Sequence, residues 1–396
     1  MNKHLVLVII LSIILPVIVF VFPESYRSSI DDAVFVQTSG KLNFTAINEQ
    51  QTTKSIQATT TTTTTTTTTK IGSLYYCGYV SVMEPNTLEL LFPRHEYKPI
   101  NATTGPPNGT STNDLFVTSE LIGVCAGAWS SENDFRSWLR TEFAGKKVYR
   151  NLESAERWIH KPSGRTVPMP LDTVKMGYYP WGPKTIHITP LVVKLMEMGP
   201  EKWKAILDHS HKPRNTRQEF LIYAHSHCVP FRERALAQLS KINTVDAAGQ
   251  CQGDNTAVPG RVRKMDSERG WMNNSQLYSK YRFCLTMENT KQWGYTTEKI
   301  LTAFLSGCIP IYYGNDEIFE MFNQKAFVYY DVNNPNQALE RIKYLEENAT
   351  AYEEVMNEPI LAPDREVTIE KFFSFTAELG GGKLQKRIHD TLGLPL

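Results

Sequence analysis

Residues 281–314 read YRFCLTMENTKQWGYTTEKILTAFLSGCIPIYYG. Phe283 to Met287 is a compact apolar run, long enough for a strand and too short for a buried helix. It passes into a polar loop at Glu288 and Asn289, turns at Gly294 and enters a helix over 296–306, where Ile300, Leu301, Phe304 and Leu305 share one side. Ile309 to Tyr313 then returns as a second buried strand. Outward from this unit, Phe220 to Ala224 is a strand followed by a helix carrying Leu236, Leu239 and Ile242, and further units follow at 326–330 and 337–347. Strands alternating with helices of about 10–15 residues imply a parallel sheet with crossover helices. Ligands of such sheets bind in the crevice beyond the carboxyl ends of the strands.

Upstream, between Ile71 and about Arg214, the pattern is more mixed. A helix is predicted over 132–143, and Lys147-Val148-Tyr149 is a strand ending near Asn151. The change of punctuation near Asn215 separates two α/β units, 71–214 and 215–396. The totals agree with a folded protein of that size: 396 residues, 41% hydrophobic, with 18 Tyr, 18 Phe and 7 Trp. The 42 Lys+Arg balance 41 Asp+Glu, so a polybasic nucleic-acid binder is excluded and any charged ligand must be held by local groups.

The first 70 residues read as an address and a spacer. Leu5 to Phe22 runs eighteen residues without a charge, the length of a minimal membrane-spanning helix, with residues 1–4 as a short tail that Lys3 keeps cytosolic. Its length and the lack of a small-residue cleavage site favour an uncleaved anchor. Residues 23–70 end in eleven threonines, Thr59 to Thr69, and are expected to form a disordered stalk. Sequons at Asn43, Asn101, Asn108, Asn273 and Asn348 suit luminal exposure.

The loop and helix at 288–299 hold the densest chemistry. Unpaired amides at a helix start attract phosphate, and Lys299 adds a cation where the helix dipole alone disfavours one. Glu298 is suited to accept from ribose hydroxyls, and Tyr295 offers a ring with a polar tip. The plainer reading is a surface Glu298-Lys299 pair with Tyr295 in the core. His209, His211, His225 and His227 form two His-x-His pairs in loops without clear carboxylate partners, a weak metal signal. Cys284 and Cys308 fall in buried strands and are expected as packed thiols, whereas Cys228 and Cys251 flank a βα unit and are candidates to pair. No Gly-x-Ser-x-Gly elbow or Walker loop occurs.

The order Glu-Asn-Thr, a short loop, Gly-Tyr-x-Thr-Glu-Lys, a helix, then Gly-Cys-Ile-Pro-Ile-Tyr-Tyr-Gly closely resembles the donor-binding signature of the α1,3/1,4-fucosyltransferases, over some fifty residues from Tyr281 to Asp331. The resemblance implies a single-pass type II Golgi membrane enzyme with its catalytic region luminal. It implies the two-domain GT-B fold, with 71–214 binding the acceptor and 215–396 binding GDP-fucose. It also implies inverting transfer of fucose from GDP-β-L-fucose to a GlcNAc hydroxyl of a glycan on glycoprotein or glycolipid. Matched position by position, Glu298 faces the ribose, Lys299 the diphosphate, and Asn289 and Tyr295 the sugar or phosphate end. The family's phosphate-binding arginine corresponds to Arg232 rather than Arg234, which is expected on a solvated face.

Inverting transfer also needs a carboxylate to take the acceptor's proton. The family draws it from the first domain just after a strand, which points to Glu153 in Lys147–Ser154, although Leu152 stands where a glycine is expected; Glu120 and Glu132 are rivals. No Asp-x-Asp pair occurs in the chain, so no metal is required to hold the diphosphate, and manganese enters only as a stimulant. The acceptor, N-acetyllactosamine or the innermost N-glycan GlcNAc, is left open. Two alternatives stand beside this reading: a membrane-anchored carbohydrate-binding protein of the same fold without turnover, and a transferase using another GDP-sugar.

Overall fold

The computed structural model describes residues 6–11, 16–21, 33–38, 41–46, 69–77, 85–100, 104–119, 128–129, 132–151, 172–178, 184–207, 219–225, 227–251, 262–265 and 274–396. They fall into two compact units, 1–66 and 67–396.

In the first unit the expected spanning helix over 5–22 is replaced by an antiparallel strand pair, β1 (Val6–Leu11) and β2 (Pro16–Val21), with Val6 opposite Val21. The run is dominated by β-branched valine and isoleucine and interrupted by Pro16, composition that favours strands over a continuous helix. No helix among the described residues is long and apolar enough to cross a membrane. Part of the expected stalk is also ordered into strands, β3 (Ala33–Thr38) pairing with β4 (Lys41–Ala46). Ser39-Gly40 between them is a two-residue hairpin signal, flanked by an alternation at Val34, Val36, Leu42 and Phe44 that the threonine tract overshadows.

The second unit holds two six-stranded sheets, every pairing in them parallel. The first contains β5 (Gly72–Cys77), β6 (His95–Ile100), β7 (Leu115–Ser119), β8 (Lys146–Asn151), β9 (Val174–Gly177) and β10 (Thr185–His187), in the spatial order β10-β9-β8-β7-β5-β6. The second contains β11 (Glu219–His225), β12 (Val245–Gly249), β13 (Val262–Met265), β14 (Tyr281–Leu285), β15 (Ile309–Tyr312) and β16 (Val328–Tyr329), in the order β13-β12-β11-β14-β15-β16. Counted from β11 this is the 3-2-1-4-5-6 order of dinucleotide-binding sheets, whose direction reverses between its first and fourth strands, here β11 and β14.

Burial follows the apolar runs. Phe283, Cys284 and Leu285 of β14 and Thr286 just after it are fully enclosed, as are Ile309, Ile311 and Tyr312 of β15. Strands covered on both faces read as continuous hydrophobic runs for this reason. One face packs Leu221, Leu236, Leu239, Phe283 and Ile311 together. The opposite face gathers Ile222, Cys284, Ala303 and Cys308.

That second face corrects the reading of Cys284 and Cys308 as thiols, because they form a disulfide with Cα atoms 6.0 Å apart. The register sets Cys284 beside Pro310, and with a side-chain period of two Cys308 points to the same side as Pro310. Cys228 and Cys251, the candidates to pair, form a second bridge with Cα atoms 5.0 Å apart.

The chain's last helix, Lys383–Leu392, returns to the first sheet. Leu384, Ile388 and Leu392 share a core with Leu74, Val117 and Val148 of that sheet. Gln385 Nε2 donates to Leu90 O at 2.7 Å, and His389 Nε2 lies 2.7 Å from Leu91 O. The C-terminal segment therefore completes the first domain rather than ending in the second.

Candidate donor site

The strand order brings the ends of β11 and β14 together, and the polar residues that follow them meet there. After β11, Pro230 opens the helix Pro230–Leu239, its missing N–H harmless at that position. Arg232 in the first turn is 1% exposed. Its Nε donates to Glu288 O at 3.3 Å, Nη1 to His227 O at 3.4 Å, and Nη2 to Asn289 Oδ1. Nη1 also lies 3.5 Å from His225 Nδ1. Four of the five guanidinium N–H groups are thus directed at partners within the second domain. Arg234 is exposed, as the choice between the two arginines requires.

Glu288 is the residue the sequence reading left without a role. Its carboxylate is fully enclosed, takes the amide of Thr297 at 2.7 Å and the Thr297 hydroxyl at 2.8–2.9 Å, and pairs with Lys299 Nζ at 2.9 Å. Lys299 Nζ also donates to Thr297 Oγ1 at 2.7 Å. The helix predicted from 296 starts at Lys299, since the Thr297 amide is drawn to Glu288 instead of being left open at a helix start. Two cations thus meet around Glu288: Arg232, enclosed with its donors engaged, and Lys299, paired with the buried carboxylate.

The other predicted residues are distributed around this core. Asn289 holds Arg232, and Glu298 caps the helix without a side-chain hydrogen bond, its carboxylate close enough to Tyr278 to help raise that phenol's pKa after burial itself. Tyr295 is 3% exposed and packs edge-on against Tyr178 with ring centroids 5.2 Å apart, so it stands between the two domains. Glu153, Glu120, His209 and His211 lie outside the described residues; Glu132 begins the helix Glu132–Thr141.

His225, weighed as a metal ligand, is instead part of the scaffold. Its Nε2 faces Leu285 O at 3.1 Å while Nδ1 faces Arg232, an arrangement that suits the neutral ring with its proton on Nε2. Burial, reinforced by the charges of Arg232 and Lys299, holds its pKa well below 6.5. The unfolded chain takes up this proton near 6.5 and the folded chain only at lower pH, so the stability linked to His225 is present above that value and lost as pH falls through the interval. The melting temperature should drop as pH is lowered from 7 through 6 toward 5, and His225→Gln should flatten the slope. His95, shifted in the same direction by burial, will leave a residual dependence.

Fold and site together define a two-domain α/β protein whose second domain gathers Arg232, Lys299 and Glu288 at its topological switch point. Residues 214–357 match glycosyltransferase family 10 (fucosyltransferase), C-terminal part. An alpha-(1,3)-fucosyltransferase FucT of Helicobacter pylori is 41% identical over 87 residues, 22% of this chain and 18% of that protein. A GDP-fucose protein O-fucosyltransferase 3 of Xenopus laevis is 30% identical over 139 residues, 33% of this chain and 29% of that protein. The chain thus matches less than a third of the length of either relative. The crystal structure of an alpha1,3-fucosyltransferase with GDP superposes with a TM-score of 0.53 at 17% identity, covering 83% of this chain and 91% of that one, and shares its fold. The similarity to the fucosyltransferase family is thus carried by residues 214–357, within the second domain.

Proposed function

We propose that the protein transfers L-fucose from GDP-β-L-fucose to a hydroxyl of GlcNAc in a glycan, with an α1,3 linkage. The observation that carries the reading is the convergence of Arg232 and Lys299 at the reversal between β11 and β14, where a nucleotide diphosphate needs its charge offset. In the step itself the acceptor oxygen forms a bond to the fucose anomeric carbon as the bond to GDP breaks, inverting that carbon. A carboxylate takes the acceptor's proton, and the two cations stabilise the departing diphosphate. Neither charge is supplied by a metal in this scheme, and manganese acts only as a stimulant.

GDP release from GDP-fucose, measured with and without GlcNAc-terminated acceptors and with a chelator, tests this function. Acceptor-dependent release that survives chelation is the expected result. Loss with chelator that manganese restores, without unfolding, would reassign charge neutralisation to a metal. No GDP release, with or without acceptor, would favour the carbohydrate-binding alternative, and use of another GDP-sugar the third reading.

Glu153 is the proposed general base. Glu153→Gln should leave GDP binding intact and lower kcat about a hundredfold, the lower end of general acid–base contributions. Near-normal turnover would pass the role to Glu120 or Glu132.

A Golgi location with the catalytic region in the lumen is part of the same proposal. The two disulfides favour an oxidising compartment, and the sequons agree with it. The apolar run 5–22 is the segment proposed to hold the protein at the membrane, and carbonate extraction of the full chain against one lacking residues 1–22 tests that.

A further inference from the structure

Most large apolar side chains of the second unit are enclosed, yet Trp293 is 49% exposed in the middle of the loop that carries Asn289, Tyr295 and Lys299. Its position is fixed rather than loose. Tyr295 N donates to Gln292 O at 3.1 Å and Gly294 has φ +71°, a tight turn with Trp293 at its outer corner. A side chain at Gly294 would put its Cβ 2.5 Å from Tyr178 O and 2.7 Å from His187 Cε1, so only glycine lets the turn press against the first domain. The indole then lies across the His187 ring, centroids 4.4 Å apart and planes 34° apart.

His187 is held from below. Its Nε2 lies 3.0 Å from Oε1 of Glu317, a carboxylate only 4% exposed. His187 Nδ1 and Glu317 Oε2 are both buried without a hydrogen-bond partner, polar capacity that the fold itself does not use. An aromatic plate is thus mounted on a polar pair and supported by both domains at the mouth of the donor site.

We infer that Trp293 is the platform on which a pyranose ring of the acceptor glycan stacks, with His187 and Glu317 as positioning residues; this rests on the function proposed above. One face of a pyranose carries C–H groups that suit the negative face of an indole. The competing occupant is the guanine of the donor. Glu298, the residue proposed to face the ribose, adjoins Tyr278 within the second domain, whereas Trp293 abuts His187 of the first. The plate therefore faces the side from which the acceptor arrives.

The test uses the full chain and a GlcNAc-terminated glycan, titrated by calorimetry in the presence of GDP, with Trp293→Ala, Trp293→Tyr and His187→Ala. Glycan affinity should fall about tenfold or more in Trp293→Ala and recover largely in Trp293→Tyr, while GDP affinity is unchanged. His187→Ala should raise the acceptor KM with little change in kcat. Equal glycan affinity in wild type and Trp293→Ala, or no glycan binding by the wild type, would overturn the inference. A parallel loss of GDP affinity would overturn it in favour of the guanine. Wild-type consumption of GDP-fucose is read separately, so a failed platform and a failed enzymatic function give different results. If Trp293→Ala does not fold by circular dichroism, Trp293→Gln replaces it.

Discussion

Lys299→Ala should lower kcat/KM for GDP-fucose by about 10³, the upper end of what a single charge-stabilising donor contributes. More is lost than one cation. Lys299 is the charged partner of Glu288, whose carboxylate is fully enclosed, and truncation leaves that negative charge with only Thr297 to bind it. The crevice would then present an unbalanced anion close to where a diphosphate has to sit. GDP affinity by calorimetry should fall with the kinetic constant, and a tenfold or smaller effect on both would place the diphosphate elsewhere. Lys299→Arg keeps the charge but not the compact geometry that fits between Glu288 and Thr297, so it should recover only part of the loss.

The βα units were legible because each local signal agreed with its neighbours. The apolar runs at 283–287 and 309–313 became β14 and β15, and the amphipathic pattern between them became the helix Lys299–Ser306. What connects distant segments was not legible. Cys284 and Cys308 are unremarkable as two cysteines in apolar strands, and only the parallel register turns their side chains to one face. Glu288 stood inside the quoted signature, yet a glutamate at a strand end reads as a ligand contact or a surface charge. Its enclosure depends on Thr297 folding back nine positions later, which no spacing rule announces. Trp293 and His187 meet across two domains, so neither carries a local sign of the other. The run at 5–22 shows the opposite case: composition measured apolarity correctly, while β-branching and Pro16 decided the secondary structure.

Glu288→Ala should cost about 3–5 kcal/mol of stability, the scale for breaking a buried ion pair from one side. Three groups lose their partner at once: the Thr297 amide, the Thr297 hydroxyl and the Lys299 ammonium. Arg232 keeps its Nε contact, because that bond goes to the backbone oxygen of residue 288. Glu288→Gln separates the contributions. The amide oxygen still accepts from Thr297, so most of the stability should return. Its NH₂ group cannot accept from Lys299, which leaves the ammonium held only by Thr297 Oγ1 in a site that has become more positive. GDP should therefore bind Glu288→Gln at least as tightly as wild type, while kcat falls because the cation is no longer fixed where charge develops on the leaving diphosphate. Thermal denaturation, GDP calorimetry and steady-state kinetics on the two variants supply the three readouts. Weakened GDP binding in a Glu288→Gln protein of near-normal melting temperature would show that the carboxylate contributes to the donor directly rather than by orienting Lys299.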